Sequence, residues 1–414
     1  MTSPGHDPRY LRTVSRGMPP LLMIALVAGC TATAGPTGTP SPTAGADPAY
    51  CAELRPTIAA ISEDELKATG VVVYVRSAEL GDCFISIGTR VLGEDQPIGM
   101  DDQFRIGSNT KTMTGTVILQ LVQAGALSLD DPVSKYRDDV PNGDEITIDQ
   151  MLTMRSGLVD YSDLPELTQA MDETPDRVWT PDEVLALSFA EPPAFPPGEG
   201  YLYSNANTVL LGLIIEQLTG TPVEEAFQTR LFEPLGMEST LLPPLSSDVI
   251  PEQHAHGYMF GTVADVVATG GVLTPAQIEE VDAGTLLPND VTDNNPSWGW
   301  AAGAGISTTA DLADWAEALV GGGLLDDEMQ KQRLESPMPV DPDAPDGSAY
   351  GQAIARYGAL YGHTGELPGY NSFMGHDPVR DITVIAWSNL MSAPDGRLTA
   401  NVLSQAVIDE LYRG

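Results

Sequence analysis

The β-strand patterns of this chain lie near its two ends, and this distribution restricts the fold more than any other feature. GVVVYVRS (70–77) and DCFISIGTR (82–90) are rich in β-branched residues and flank a short polar turn, which predicts a hairpin. Strand patterns return near the C-terminus in ARYGALYGHTG, NSFMGHDP and DITVIAWSNL, whereas the intervening chain is helical and rich in loops. We therefore predict an α+β fold. A mainly antiparallel sheet flanked by helices would be built from residues about 50–125 and 300–414, with a helical, loop-rich subdomain over about 126–299.

The N-terminus carries the pattern of a secretory leader. Three arginines precede MPPLLMIALVAGC, whose apolar run of about ten residues is too short to span a bilayer comfortably. The end of this run, VAGC, resembles a bacterial lipobox, in which the cysteine is lipidated and becomes the mature N-terminus. We expect residues 1–29 to be a lipoprotein signal peptide and Cys30 to be lipidated. A plain secretory peptide is the alternative.

A tether follows the predicted leader. Residues 30–49 are rich in Thr, Pro, Ala and Gly and have no apolar period, which predicts a flexible segment before a folded domain over 50–414. If Cys30 carries lipid, Cys51 and Cys83 remain as an even pair. Outside the cytoplasm such a pair can form a disulfide, and two buried free thiols are the alternative.

The charge of the chain restricts its partners. Aspartate and glutamate outnumber lysine and arginine by 58 to 20, for a formal net charge of -38. Phosphate binding needs clustered cations, so this composition argues against nucleic acid as a partner. It also opposes adsorption to an anionic bilayer, which leaves a lipid anchor as the expected membrane contact. Lysine is scarce, so a lysine in a special setting is more informative than usual.

FRIGSNTKTMT (104–114) contains the first candidate for chemistry. Ser108 precedes Lys111 by three residues at the start of a predicted helix that runs to about Ala124. Residues at i and i+3 share a helix face, so the amine can reach the hydroxyl. A serine hydroxyl needs a neighbouring base, and a lysine can serve if burial or a nearby cation lowers its pKa. Alone, this spacing is weak, because it often arises by chance.

Two further segments supply candidate partners. In YLYSN, Tyr203 can act as a base or proton shuttle beside a cationic lysine, and Asn205 can hold a substrate amide. In GHTGELPGY, His363, Thr364 and Gly365 lie on a predicted strand. The glycine would let a ligand approach the backbone, and the imidazole can supply a proton or a positive charge.

The three motifs together resemble a known superfamily. The order S-x-x-K, Y-x-N, H-T-G, at intervals of about 95 and 160 residues, resembles the serine β-lactamases and penicillin-binding proteins. The resemblance is to the class C β-lactamase and D-alanyl-D-alanine carboxypeptidase branch with histidine in the third motif, and it extends over nearly all of residues 50–414. TIDQMLTMRSGL and LFEPLGMEST also resemble segments of that superfamily. The chain has neither a G-x-S-x-G elbow nor an H-E-x-x-H motif, which disfavours an α/β-hydrolase or a zincin.

The resemblance implies roles for five side chains. Ser108 would be the nucleophile that accepts the acyl group, and Lys111 would activate it. Tyr203 would be the general base that later returns a proton to the leaving group. Asn205 would bind the amide of the acyl side chain. His363 would replace the usual lysine of the third motif and tune Tyr203 electrostatically.

It also implies an oxyanion hole and a substrate-binding strand. The backbone N–H groups of Ser108 and Glu366 would bind the oxyanion, and Thr364 and Gly365 would contact substrate. Arg356 is a further candidate for substrate binding that the resemblance itself does not supply. Glu366 departs from the peptidases of this type, in which a hydroxyl residue helps to bind the terminal carboxylate. A carboxylate there would repel the substrate unless it turns away or a cation such as Arg356 compensates. Arg356 as a solvated arginine at a strand end is the alternative.

Other aromatic and histidine residues have simpler interpretations. We expect His254 and His256 to lie in a loop that packs against or rims the cleft rather than in a metal site. Trp298 and Trp300 are predicted as core or cleft-wall aromatics, and His376 as a surface turn residue. We expect neither a metal nor a cofactor.

The chain is thus expected to be a serine hydrolase that forms an acyl-enzyme at Ser108. Its substrates would be small molecules or cell-wall peptides with an amide or ester bond, as for a D-alanyl-D-alanine carboxypeptidase or an esterase. A true β-lactamase is one alternative, and a non-catalytic penicillin-recognising or scaffold protein is another. We expect a monomer outside the cytoplasm, lipid-anchored to the cell membrane or secreted.

Overall fold

Apolar runs from the two ends of the chain pair side by side in one sheet. The computed structural model describes residues 47–251, 253–344 and 347–413, so the predicted signal peptide, Cys30 and residues 30–46 of the tether lie outside the described residues. The strands are β1 (Gly70–Ser77), β2 (Cys83–Gly88), β3 (Phe104–Arg105), β4 (Tyr258–Met259), β5 (Asn289–Asp290), β6 (Ile306–Ser307), β7 (Met338–Pro339), β8 (Ala349–Tyr350), β9 (Ala355–Tyr357), β10 (Leu360–Leu367), β11 (Tyr370–Asp377) and β12 (Ile382–Ser388).

The main sheet joins both ends of the chain. In the described part, eight strands are ordered β2-β1-β12-β11-β10-β9-β8-β7, and each neighbouring pair is antiparallel. β3 pairs with β6, and β4 pairs with β5, in two small ladders. Because β1 lies beside β12, the prediction of an α+β fold whose sheet comes from both ends is confirmed.

Most helices lie between the two groups of strands. The α-helices are α1 (Ala49–Ala60), α2 (Thr110–Gln123), α3 (Ile148–Leu152), α4 (Pro165–Glu173), α5 (Pro181–Ala190), α6 (Asn205–Thr219), α7 (Val223–Phe227), α8 (Glu233–Leu235), α9 (Val263–Thr269), α10 (Pro275–Asp282), α11 (Trp300–Gly303), α12 (Thr309–Gly321), α13 (Asp327–Glu335) and α14 (Thr399–Leu411). Several begin at a threonine whose hydroxyl accepts a bond from the third helical residue while that residue's side chain bonds back, as at Thr147, Thr180, Thr262 and Thr274. None of the helices in this described part has the length and apolar character that crossing a bilayer requires.

The sheet has an apolar layer on each face. Side chains alternate along a strand, so Val71, Val73 and Val75 of β1 pack with α1 and α14, whereas Val72 and Tyr74 face the layer that contains α2. α1 is also tied covalently to the sheet. Its Cys51 forms a disulfide with Cys83 at the start of β2, with the two Cα atoms 5.5 Å apart.

Helix α2 is the central helix of the second layer. A short 3₁₀ turn, Gly107–Asn109, precedes it, so the predicted helix from Ser108 is confirmed except for its first residues. Residues 109–119 are all buried, including several threonines and Lys111. The hydroxyls of Thr112, Thr114 and Thr116 bond to backbone carbonyls, which offsets the cost of burying them.

His376 is not the surface turn residue that the sequence suggested. It lies on β11, is buried, and its Nδ1 is 2.9 Å from Thr383 Oγ1 on the paired strand β12. The apparent turn signal, Asp377 and the following proline, comes one residue later, where the strand ends.

Candidate active site

A cavity of about 460 Å³ opens beside the 3₁₀ turn that carries Ser108. Ser108, Tyr203 and Asn205, which the sequence predicted together, line it with Thr364 and Glu366 of β10. These residues come from three distant segments of the chain: the 3₁₀ turn before α2, the stretch that leads into the first residue of α6, and the end of β10. Lys111 and His363 lie behind this lining, buried in the protein.

Two glycines allow the Ser108 turn to lie directly against β10. Gly107 has a φ of +56°, and a Cβ on it would collide with the backbone nitrogen of Glu366. A Cβ on Gly365 would collide with the carbonyl oxygen of Ile106. The sequence predicted that Gly365 admits a ligand, but the group that approaches it is the protein's own turn. Gly365 therefore positions Ser108 relative to the strand.

A polar clamp, which sequence reasoning missed, holds this turn to β11. Asn109 Nδ2 donates to the Ile106 carbonyl at 2.8 Å and to Ser372 Oγ at 2.7 Å, and Ser372 Oγ donates to the same carbonyl at 2.9 Å. The three groups are buried, so their bonds are protected from water. Asn109, one residue after Ser108, was the only local indication of this clamp in the sequence. Its partner on β11, Ser372, is 263 residues away along the chain.

Lys111 lies within hydrogen-bonding distance of the nucleophile candidate. Its Nζ is 2.9 Å from Ser108 Oγ, 2.6 Å from Asn205 Oδ1 and 2.8 Å from the Ala302 carbonyl oxygen. Burial lowers the pKa of Lys111 to about 7, and the charge of Asp160 opposes this shift only in part. Near neutral pH a substantial share of the amine is unprotonated and able to accept the Ser108 proton.

Asn205 is oriented by an aspartate that the sequence analysis did not single out. Its Nδ2 lies 3.2 Å from both carboxylate oxygens of Asp160 and 3.2 Å from Ser162 Oγ, which directs Oδ1 to Lys111. Asp160 also accepts from the Asn205 backbone N–H. The order Asp160-Tyr161-Ser162 indicates a capped turn. Nothing in the local sequence indicates that the carboxylate also reaches Asn205.

Tyr203 is a neutral phenol at neutral pH. Burial raises its pKa well above the usual value, and the nearby Ser108 hydroxyl opposes this shift. Its oxygen has no partner with full hydrogen-bond geometry in the described structure, and Lys111 Nζ lies 4.9 Å from the centre of its ring. Of the two groups beside Ser108, Lys111 therefore has the pKa that suits a base. The phenol suits proton delivery at a later stage.

Of the two roles that the sequence left open for His363, a proton source or a positive charge, burial disfavours the positive charge at neutral pH. His363 is buried, and burial with the nearby Lys111 charge lowers its pKa to about 3. Its Nδ1 lies 2.5 Å from the Thr364 carbonyl oxygen, so this nitrogen carries the proton. Its Nε2 then accepts from the hydroxyl of Tyr350, 3.1 Å away, a partner that sequence reasoning missed. His363 thus packs behind Tyr203, with ring centres 6.0 Å apart, as a neutral support.

The register of β10 leaves one backbone N–H free at the cavity. Leu367 and Tyr370 flank a two-residue turn, so their backbones form a hydrogen-bonded pair. Pairs alternate along an antiparallel ladder, so the next pair, Glu366 and Asn371, exchanges no backbone hydrogen bonds. The Glu366 N–H therefore points away from β11, toward the turn at Gly107. This geometry supports, for the oxyanion, the predicted pairing of the N–H groups of Ser108 and Glu366.

The structure does not bring Arg356 to the cavity. Arg356 lies on β9 opposite Tyr361, five residues before Glu366, which is about 16 Å along an extended strand. It borders a separate surface depression with Tyr361 and Asp377. It therefore does not compensate the Glu366 carboxylate, and the alternative of an arginine away from the cleft describes it better.

The two tryptophans and two histidines to which the sequence analysis gave structural roles have packing or hydrogen-bonding contacts. Trp298 lines the cavity and Trp300 is buried. His254 and His256 stack with ring centres 5.5 Å apart, and His256 Nδ1 lies 2.8 Å from Asp290 Oδ2. Within the described ranges, no group of three or more histidine, cysteine or acidic side chains is arranged to hold a metal ion.

A serine with a buried, partly neutral lysine at 2.9 Å, beside free backbone donors, is the arrangement of a serine hydrolase. Comparisons with known proteins agree. Residues 63–407 match the sequence profile of the family described as Beta-lactamase. The chain belongs to this family.

Three similar proteins illustrate the range of the family. Penicillin-binding protein 4* of Bacillus subtilis (strain 168) is 29% identical over 310 residues, 72% of this chain and 64% of that protein. Esterase EstB of Burkholderia gladioli is 30% identical over 253 residues, 58% of this chain and 60% of that protein. The match thus spans less than two thirds of either relative. The crystal structure of a D-stereospecific amidohydrolase from Streptomyces sp. has a TM-score of 0.73 and 27% identity, and the match covers 88% of this chain and 99% of that one.

Proposed function

We propose that this enzyme hydrolyses small amides or esters through an acyl-enzyme at Ser108, and that it works outside the cytoplasm. The observation that carries this proposal is the 2.9 Å contact between Ser108 Oγ and Lys111 Nζ, whose burial lowers the pKa to about 7. A relative named as an esterase and a structural neighbour named as an amidohydrolase support the substrate class.

In the acylation step, neutral Lys111 accepts the Ser108 proton while Oγ attacks the substrate carbonyl carbon. The carbonyl oxygen becomes an oxyanion between the N–H groups of Ser108 and Glu366, each worth about 3 kcal/mol of transition-state stabilisation. The tetrahedral intermediate collapses, and the bond to the leaving group breaks. The leaving amine or alkoxide takes up the proton that Lys111 had accepted, either directly or through the Tyr203 phenol, which Lys111 then reprotonates, so that Lys111 is neutral again. Water then attacks the acyl-enzyme by the same route, which releases the acid and restores Ser108.

The acidic lining of the cavity disfavours substrates with a free carboxylate. Asp160, Asp163 and Glu366 all border the cavity, and no lysine, arginine or histidine is among its lining residues in the described structure. A D-alanyl-D-alanine peptide and a β-lactam both carry a carboxylate that these groups would repel. We therefore rank an amidase or esterase above a carboxypeptidase or a β-lactamase.

The location of the enzyme is also a proposal. The Cys51–Cys83 disulfide is typical of proteins in an oxidising compartment. Relatives named as a penicillin-binding protein and carboxypeptidases point the same way. Lipidation at Cys30 and the monomeric state stay predictions.

Covalent labelling tests the nucleophile. A neutral fluorophosphonate should modify the full-length protein once, and Ser108→Ala should abolish the label. Ser348→Ala is the matched control, because Ser348 is exposed and does not border the cavity. Turnover of p-nitrophenyl butyrate, nitrocefin and a D-Ala-D-Ala peptide by one preparation then ranks the substrate classes. A label that persists in Ser108→Ala would overturn the proposal.

A further inference from the structure

Trp300, at the start of α11, has a strained backbone close to the active site. Its φ is +32°, in the left-handed region that favours glycine and that a residue with a bulky side chain rarely adopts. Such a conformation persists only where surrounding contacts hold it, and residues of this kind cluster at active sites. Glycine would adopt this backbone at lower cost, so a tryptophan at this position indicates that its side chain is needed there.

The indole of Trp300 packs on α6 at a glycine. The side chain is 3% exposed, and a Cβ on Gly212 would lie 2.9 Å from its ring and 2.7 Å from Ala301 Cβ. Any larger residue at 212 would therefore push α11 away from α6, the helix that begins with Asn205. The indole Nε1 also donates to Glu224 Oε1 of α7, at 3.4 Å. These contacts fix the tryptophan side chain and so the start of α11.

Hydrogen bonds hold the chain on both sides of Trp300. Two residues before it, the Trp298 carbonyl accepts from the hydroxyl of Tyr161, at 2.7 Å. One residue after it, the Ala301 carbonyl accepts from Thr114 Oγ1 of α2, at 2.6 Å. The left-handed turn at Trp300 therefore joins two stretches of backbone that are held separately, and it sets the direction of the carbonyls that follow.

The next carbonyl, that of Ala302, contacts the amine of Lys111. Lys111 Nζ lies 2.8 Å from this oxygen, 2.6 Å from Asn205 Oδ1 and 2.9 Å from Ser108 Oγ. The first two oxygens can only accept hydrogen bonds. A neutral amine has two hydrogens and one lone pair, so when both hydrogens go to these acceptors, the lone pair is left facing the Ser108 hydroxyl. Without the Ala302 carbonyl, a hydrogen would be free to point at Ser108 Oγ, where Lys111 needs its lone pair.

We propose that Trp300 is a positioning residue whose clamped backbone aims the Ala302 carbonyl at Lys111 and so directs the lysine lone pair to the nucleophile. This inference rests on the proposed acyl-enzyme chemistry at Ser108 and adds the element that orients its base. Trp300 acts through the backbone that follows it, since it is not among the residues that line the cavity in the described structure. Loss of the clamp would leave the lysine present and buried, but with its amine free to rotate.

The rate at which the neutral fluorophosphonate labels Ser108 tests this at two pH values. At about pH 9, about two units above the lowered pKa of Lys111, the amine is almost fully neutral, so the rate there depends on the direction of the lone pair. Gly212→Ala inserts a Cβ against the indole, and Trp300→Phe removes the bond to Glu224 and part of the packed surface. Each variant should be labelled roughly tenfold more slowly than wild type at both pH 7 and pH 9.

Gly321→Ala is the matched control. It also adds a methyl group to a glycine of a helix, α12, but its Cβ would meet no atom within 4 Å. It should be labelled at the wild-type rate at both pH values. Urea unfolding of every variant shows which of them are folded in the assay. If Gly212→Ala does not fold, Trp300→Phe decides.

The outcomes separate this inference from the proposed function. Wild-type rates in the folded variants, however much stability they lose, would show a purely structural role for Trp300 and overturn the inference. Slowing at pH 7 that vanishes at pH 9 would show only a changed lysine pKa, and equal slowing in Gly321→Ala would show no link to α11. Each of these results also overturns the inference, and each leaves the acyl-enzyme proposal in place. If the wild-type protein is not labelled at Ser108 at all, the proposed function itself fails.

Discussion

Lys111 and Asn205 form a short polar contact beside the candidate nucleophile, with Lys111 Nζ 2.6 Å from Asn205 Oδ1. Because Asp160 holds the other end of the Asn205 amide, the amide oxygen is fixed toward the lysine. The same lysine nitrogen lies 2.9 Å from Ser108 Oγ. The contact with Asn205 thus directs the Lys111 amine toward the Ser108 hydroxyl. Burial lowers the pKa of Lys111, and no carboxylate in the described structure lies at hydrogen-bonding distance to raise it again.

Replacing the lysine should remove catalysis without unfolding the protein. Lys111→Met keeps much of the side-chain volume, and we expect kcat/KM for p-nitrophenyl butyrate to fall by about 10³-fold, the usual range for loss of a positioned base. The free energy of unfolding at pH 7 should change little, because the variant loses three polar contacts but also removes the cost of burying an amine. A variant with near wild-type kcat/KM would show that another group activates Ser108.

The activity should rise with pH as Lys111 loses its proton. The pKa of Lys111 is lowered to about 7, so kcat/KM for a neutral ester should have an acidic limb centred near pH 7. The pKa of Glu366 is raised to about 7 and could produce a similar limb, and Asp160 and Asp163 also face this region. The limb should therefore be measured in Glu366→Gln as well. It should persist there, and its disappearance in that variant would assign it to Glu366 instead.

Stability should fall as the pH drops below about 6.5, in part through His363. Its folded pKa is lowered to about 3. In the unfolded chain the pKa of His363 is ordinary, near 6.5. Between pH 3 and 6.5, about the two pKa values, the imidazole is therefore protonated in the unfolded chain but neutral in the folded protein, which favours unfolding. Urea unfolding of wild type and His363→Gln at pH 5 and 7.5 should show a smaller pH-dependent loss in the variant. Equal losses would contradict a buried, neutral His363.

Gly365 should tolerate no side chain. A Cβ there would strike the Ile106 carbonyl, so Gly365→Ala should lower stability by about 2 kcal/mol and slow labelling of Ser108 by displacing its turn. Gly321→Ala, where a Cβ would meet no atom within 4 Å, is the control and should leave both unchanged. Normal labelling in Gly365→Ala would show that the turn and the strand are not coupled.

The sequence was sufficient for the architecture because periodicity and turn residues specify it locally. The hairpin 70–77 and 82–90 and the helix after Ser108 appear within a few residues of their predicted bounds. His376 was misplaced because the Asp-Pro turn signal cannot tell where a buried strand ends.

The resemblance to the superfamily implied that Ser108, Tyr203 and Asn205 share one site, and they line one cavity. The resemblance could not give the electrostatics of that site. The low pKa of Lys111 and the neutral His363 depend on burial by the whole fold.

Asp160 and Ser372 were missed because their partners, Asn205 and Asn109, are 45 and 263 residues away along the chain. Tyr350 was missed because only the pairing of the strands brings it to His363, 13 residues later. Arg356 was considered for the site because it lies close to His363 in sequence. The turn between β9 and β10 instead places it opposite Tyr361, away from Glu366.

The most direct test of the central claim is the mass of the enzyme trapped during turnover of a slow ester. Acid quenching followed by peptide mapping should show one acyl group, on the peptide that contains Ser108, and none in Ser108→Ala. An intact enzyme mass throughout steady turnover, or an acyl group on another residue, would contradict the account.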